Sequence, residues 1–229
     1  MKKITAWLLL MWCTLFGANS YAQTWPPLGR DPNFSHLMME QGQTVGEVLA
    51  IVQDHNGFIW IGGRSGLARY DGYRFNIYTN NPRDPGSLSS NYVRDAFVDS
   101  QGELWVATQK GVVRYDRRFD NFVRCKYAEG SYAGKRSEVF YRIIEDSASN
   151  LWFIGFNGVG IYDRKTNQLH EQLIGSGLQK IDVNGMAEIG KDEYAITTAS
   201  GLFYWNRHSG VLKQYTHDEK DIESLPTNS

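Results

Sequence analysis

Two cysteines, six prolines and five histidines are all that the 229 residues contain of these types. Cys13 lies in an apolar stretch at the start of the chain, which leaves Cys125 alone in the remainder. One thiol forms no internal disulfide, so the fold must rest on packing; Cys125, in a linker, reads as an incidental strand-end residue. A strong charge of either sign is missing too: 24 lysines and arginines face 25 aspartates and glutamates, a formal net charge of −1. The pairs Arg117-Arg118 and Lys135-Arg136 fall in turns or linkers, are expected to be solvated, and do not make the basic patch of a nucleic-acid binder. No segment carries a long amphipathic helical period. The loop pattern D-x-[DN]-x-[DN]-G-x₅-E is absent, so neither a calcium ion nor another metal or cofactor is expected.

The one long apolar run is N-terminal. Lys2 and Lys3 precede Ile4 to Phe16, and small residues at Ser20 and Ala22 fit an A-x-A cleavage site. Residues 1–22 are read as a signal peptide cut before Gln23, because the stretch is shorter than the ~20 residues of a membrane helix. Met11-Trp12 before Cys13 is not a lipobox. Residues 23–44 form a lead-in.

What the rest contains is repetition. Similar segments start at Val48, Val93, Phe140 and Val183, at intervals of 45, 47 and 43 residues. The first three carry Asp54, Asp99 and Asp146, and six residues later Trp60, Trp105 and Trp152; the worn fourth copy has Ala195 in place of the tryptophan. Gly57 and Gly102 follow the first two aspartates, where the third copy has Ser149. All four then have a glycine (Gly66, Gly111, Gly158, Gly201) and an aromatic (Tyr70, Tyr115, Tyr162, Trp205). A period of this length means stacked repeats, each too small to bury its own hydrophobic face.

Within the first copy, Val48 to Val52, Phe58 to Gly62, Leu67 to Tyr70 and Tyr73 to Tyr78 read as strands. The turns between them are Asp54 to Gly57, Gly63 to Gly66 and an Asp71-Gly72 hairpin of type I′. Four short antiparallel strands per repeat is the pattern of a β-propeller blade. The chain is therefore expected to be all-β, with blades near 45–85, 90–130, 137–175 and 180–217 and a linker over 218–229. The repeated aspartates cap turns by accepting backbone N–H groups, the glycines after them supply positive φ, and the tryptophans pack between blades.

These repeats resemble the two-component regulator propeller family, whose blades read roughly V-x-x-I-x-x-D-x-x-G-x-[IL]-W-[IV]-G-T-x-x-G-[LV]-x-x-[YF]-D. The first copy matches at Asp54, Gly57, Trp60, Gly66, Tyr70 and Asp71. The second matches at Asp99, Gly102, Trp105, Thr108, Gly111, Tyr115 and Asp116, and the third at Asp146, Trp152, Gly155, Gly158, Tyr162 and Asp163. The fourth keeps Thr198, Gly201 and Leu202 and is placed by register. The linker from Asn81 to Asn91 is similar to the family's inter-blade linker. The resemblance implies an exported sensor: a propeller outside the bacterial inner membrane, then a β-sandwich, a membrane helix, and a histidine kinase or diguanylate cyclase. None of those later parts is in this sequence, which has no kinase His box and no nucleotide-binding motif.

Asp221 to Ser229 echoes Pro85 to Asn91, so the sequence stops where a further blade would begin. An N-terminal piece of a longer sensor or a truncated gene product is the expectation, ahead of a free-standing four-bladed ring, with self-association through the open last blade. Any membrane link would then run through the missing C-terminal parts. Candidate ligand contacts sit on the turns between second and third strands: Arg64 and Ser65, Gln109 and Lys110, Phe156 and Asn157, and Ser200. Arg94, Tyr141 and Arg142 on the innermost strands are added, since loops on a rigid scaffold are the usual binding positions. Arginine and aromatic side chains there suit an anionic sugar or acidic peptide; an extracytoplasmic small molecule or glycan is the expected ligand. Two other readings remain: an exported glycosidase or lyase, for which only Glu145, Asp146 or Glu47 offer carboxylates, and a protein-interaction scaffold. No catalytic residues can be assembled.

Overall fold

In the computed structural model, which describes residues 44–128, 139–156, 158–172, 182–221 and 223–227, the sequence folds as four β-sheets in series. The first blade contains β1 (Val48–Gln53), β2 (Ile59–Gly63), β3 (Gly66–Tyr70) and β4 (Phe75–Tyr78). The second contains β5 (Val93–Val98), β6 (Leu104–Thr108), β7 (Gly111–Asp116) and β8 (Asn121–Arg124), and a short β9 (Lys126–Tyr127) follows. The third contains β10 (Phe140–Glu145), β11 (Leu151–Gly155), β12 (Gly158–Asp163) and β13 (Gln168–Gln172). The fourth contains β14 (Val183–Gly190), β15 (Glu193–Thr198), β16 (Gly201–Asn206) and β17 (Leu212–Tyr215). Strand order within each blade follows the chain, and the four strands of each pair antiparallel. No helix occurs among the described residues. The signal peptide, the lead-in up to residue 43 and Lys135-Arg136 lie outside them.

Two details differ from expectation. The Asp71-Gly72 hairpin is a four-residue loop, not a two-residue one. The Asp71 carboxylate accepts the N–H groups of both Tyr73 and Arg74, which holds the wider turn and leaves the Tyr73 ring 96% exposed, outside β4. The third sheet also gains a fifth strand, because β9 runs parallel to the outer strand β13 through the pairs Lys126–Gln168 and Tyr127–Leu169. Cys125, between β8 and β9, is a free thiol whose pKa burial pushes up to about 12, so it is a poor nucleophile at neutral pH.

Blades meet through three separate cores. Trp60 and Leu67 of the first blade pack with Leu104, Val106, Val113 and Tyr115 of the second. Trp105 and Ala107 pack with Ile143, Leu151, Phe153 and Tyr162 of the third. Trp152 and Ile154 pack with Val183, Tyr194, Ile196 and Trp205 of the fourth. All three tryptophans are 0% exposed. Each meets the recurring aromatic of the next blade edge-on: Trp60 with Tyr115 at 4.7 Å, Trp105 with Tyr162 at 4.6 Å and Trp152 with Trp205 at 6.1 Å. Among the described residues, no buried cluster joins the fourth blade to the first.

The six-residue spacing from Asp to Trp has a polar cause. One oxygen of Asp54 accepts the N–H groups of Asn56 (2.9 Å) and Phe58 (3.1 Å), closing the β1–β2 turn. Its other oxygen accepts the Trp60 indole N–H at 3.0 Å. Asp99 does the same with Gln101, Glu103 and Trp105, and Asp146 with Ala148, Asn150 and Trp152. The next blade supplies a further donor: Arg117 to Asp54 at 3.0 Å, Arg164 to Asp99 at 2.9 Å, and the Tyr194 hydroxyl to Asp146 at 2.8 Å. Arg117 is therefore exposed but not free, with 41% of its side chain open to solvent. It compensates a buried carboxylate across a blade boundary, an arrangement in which an unpaired partner would be costly.

Candidate functional site

Each of the first three blades places the turn between its second and third strands beside its own starting segment. Ser65 N–H donates to the Val45 carbonyl and Arg64 N–H to that of Glu47; Gln109 N–H donates to Tyr92, and Phe156 N–H to Val139. Turns and blade starts thus share one edge of the molecule. The Asp turns lie on the other edge, since β1–β2 and β2–β3 connections fall at opposite strand ends. The recurrent glycine of the β2–β3 turn is a packing requirement: at Gly66, with φ +147°, a Cβ would sit 2.7 Å from the Tyr78 carbonyl oxygen.

The innermost strands carry a second regularity. Pairing along β1–β2, β5–β6, β10–β11 and β14–β15 shifts after the first residue, which leaves Leu49, Arg94, Tyr141 and Asn184 unpaired at four equivalent bulges. A bulge re-aims the side chain it carries. Here the frame repeats while the side chain does not. The Arg94 guanidinium lies 5.1 Å from the Tyr141 ring and 4.7 Å from the ring of Tyr92, the residue before β5. Arg64, from the β2–β3 turn of the first blade, approaches the same Tyr92 ring at 5.4 Å and pairs with Glu47. Burial, and after it the charge of Asp182, raise the pKa of the Tyr141 hydroxyl and keep it protonated.

The structure thus brings together three sequence candidates, Arg64, Arg94 and Tyr141. Arg142 sits next to them in sequence but is solvent-exposed and acts electrostatically on Asp95. That carboxyl accepts the Ile143 N–H at 2.7 Å and has its pKa raised mainly by burial. Ser65, Gln109, Lys110, Phe156 and Ser200 lie on their turns, all exposed. Asn157 is outside the described residues. Sequence reasoning missed Tyr92 and Asp182; both precede a first strand by one residue, and that register position was the available signal.

On the Asp-turn edge a cleft of about 460 Å³ is lined by Asn150, Tyr162, Arg164 and Arg207 among others. Arg164 is already committed there to Asp99, and Arg207 lies 5.1 Å from the Trp152 ring. The carboxylates once open to a catalytic reading are engaged as well. Glu145 accepts both the N–H and the hydroxyl of Ser100 at 2.7 Å, Asp146 holds its turn and Trp152, and Glu47 pairs with Arg64. Among the described residues no cluster of three or more His, Cys, Asp or Glu side chains is placed to hold a metal ion.

This architecture is that of a β-propeller built from repeats with a shared Asp–Trp signature. Residues 42–65 and 87–110 match the family model for the two component regulator propeller. A 48-residue stretch is 46% identical to histidine kinase P4 of Formosa agariphila, covering 21% of this chain and 4% of that protein. Two solved propellers from B. thetaiotaomicron superpose on it. One is the extracellular domain assigned to hybrid two component system BT3049, with TM-score 0.68, 22% identity, and 80% of this chain against 26% of that one. The other is the corresponding domain of BT4673, with TM-score 0.65, 18% identity, and 80% against 24%. The chain thus spans about a quarter of those structures. A streptogramin B lyase shares the fold at TM-score 0.57 and 15% identity, over 79% of this chain and 58% of the lyase.

Proposed function

We propose that the chain is the ligand-sensing propeller module of an exported bacterial signal-transduction receptor, working on the periplasmic side. It binds a small molecule or glycan and turns nothing over. The observation that carries this reading is the turn edge, where a strictly repeated frame presents four different side chains, Leu49, Arg94, Tyr141 and Asn184, at four equivalent bulges. Variation on a rigid frame suits recognition. The repeat family and the two-component propellers that share the fold support the same reading. A lyase reading draws on fold likeness alone, and the available carboxylates are occupied by frame contacts.

The test has two parts. Cell fractionation with N-terminal sequencing should recover a periplasmic chain beginning at Gln23. Incubation with an oligosaccharide panel should produce a melting shift with at least one member, recovered chemically unchanged. Turnover that disappears on changing a single carboxylate would replace the sensor reading with an enzymatic one.

A further inference from the structure

Three partly buried arginines of the blades are paired with a carboxylate: Arg69 with Asp120, Arg114 with Glu103 and Arg164 with Asp99. Arg207 and Arg94 are not; Arg207 lies against the single ring of Trp152, whereas Arg94 meets two rings at the turn edge. Among the described residues the Arg94 guanidinium has no ion pair and no hydrogen bond, and its Nε is buried without a partner. Its contacts are the rings of Tyr92 and Tyr141. Ring contacts offset part of the cost of removing a guanidinium from water, but they satisfy none of its N–H donors. The result is a half-buried cation held against two rings with its donors unpaired among the described residues. A guanidinium receives a planar carboxylate through two parallel hydrogen bonds.

We propose that Arg94 anchors the carboxylate of a hydroxylated monocarboxylate ligand, a uronic acid being the simplest case, at the turn edge between the second and third blades. This rests on the ligand-sensing reading and names the class of ligand. Two acidic groups bear on the choice of anion. Glu47 is held near the site by Arg64, which contacts the same Tyr92 ring, and Asp182 acts on Tyr141. Both repel a doubly charged phosphate, and both accept hydrogen bonds from ligand hydroxyls. The Tyr141 hydroxyl, held protonated, is a donor for a ring or glycosidic oxygen. One carboxylate with several hydroxyls complements Arg94, Tyr141, Glu47 and Asp182 together.

Isothermal titration calorimetry of the full chain with D-glucuronate, D-glucose and inorganic phosphate tests the assignment. Glucuronate should bind, with glucose weaker by about tenfold or more, as the loss of a charge-assisted bidentate pair implies. Phosphate should bind no more tightly than glucuronate. Arg94→Gln should weaken glucuronate by about tenfold, and Arg94→Lys, which keeps charge without the fork, by less. Circular dichroism melting of both variants, unchanged within about 2 °C, separates lost binding from lost folding. No heat of binding with glucuronate up to ~10 mM overturns the proposal. Equal binding of glucose, indifferent to Arg94→Gln, overturns the carboxylate anchor while leaving ligand sensing intact. Tighter phosphate binding marks a general anion site and overturns it as well.

Discussion

At the residue scale, one carboxylate per repeat ties local turn to long-range packing. Because each aspartate uses one oxygen on its own turn and the other on tryptophan and the next blade, losing the tryptophan removes both a buried ring and the acceptor's main partner. Trp105→Ala should therefore cost roughly 3–5 kcal/mol in denaturant unfolding, the range for large aromatic truncations in cores. The position three residues after the turn aspartate, or after Ile189 in the fourth copy, has φ +86° at Gly57, +80° at Gly102, +60° at Ser149 and +58° at Asp192, so the backbone demand persists where glycine does not. Ser149→Gly should stabilise the chain by about 0.5–1 kcal/mol, the left-handed strain relieved less the entropy that glycine adds to the unfolded state. Acid sensitivity belongs at this scale too. Burial pushes the Asp146 carboxyl up, but hydrogen bonds from Asn150, Trp152 and Tyr194 outweigh it, and its pKa lies below the ordinary value. A lowered folded pKa gives stability that is complete above the unfolded pKa of ~4 and is lost as pH falls through the folded value. The melting temperature should fall in that acid range, and Asp146→Asn should flatten the decline; an unchanged slope would assign the sensitivity to other groups.

At the element scale, blade boundaries are latched unequally. Arg164 is less exposed than Arg117 and reaches Glu145 (3.4 Å) and Glu103 (3.7 Å) in addition to Asp99. Arg164→Met should cost about 1–3 kcal/mol, less than a fully buried pair because the arginine is partly solvated. Arg117→Met should cost about 1 kcal/mol or less. Equal costs would show that the carboxylate network around Arg164 adds nothing. The fourth blade shows what happens without the aspartate. Ile189 stands at that position, β14 runs on to Gly190, and a two-residue Lys191-Asp192 turn leads directly into β15. The linker echo seen in the sequence is also an echo in structure. Ser87 Oγ accepts the Asn81 N–H and donates to the Asn81 carbonyl, and Ser224 Oγ does the same with Asp218.

For the whole molecule, the face of the first blade turned away from Trp60 carries Ile51, Ile61 and Ile77 in register, with Ile51 67% exposed. The equivalent residues of the second blade, Val106 and Val113 among them, are buried against the first. Ile189 of the fourth blade is 58% exposed. Exposed apolar blade faces invite association. Sedimentation velocity should show a coefficient that rises with concentration, and the double change Ile51→Lys with Ile189→Lys should abolish the rise. A compact monomer at every concentration would contradict it.

The repeat period, the glycines and the Asp–Trp spacing are local regularities, and from them the all-β class, the register of the worn fourth copy and the interior position of three tryptophans were legible in the sequence alone. These features are imposed within one blade, by turn geometry and strand alternation over about 45 residues. The partners across blade boundaries were not legible. Arg117 and a free arginine look alike in sequence, because what distinguishes them is a carboxylate 63 residues away. The Tyr92–Arg94–Tyr141 cluster was hidden for a related reason. Strand alternation assigns each side chain to one of two faces, but a one-residue bulge breaks that period, and only the approach of neighbouring inner strands decides which re-aimed side chains meet.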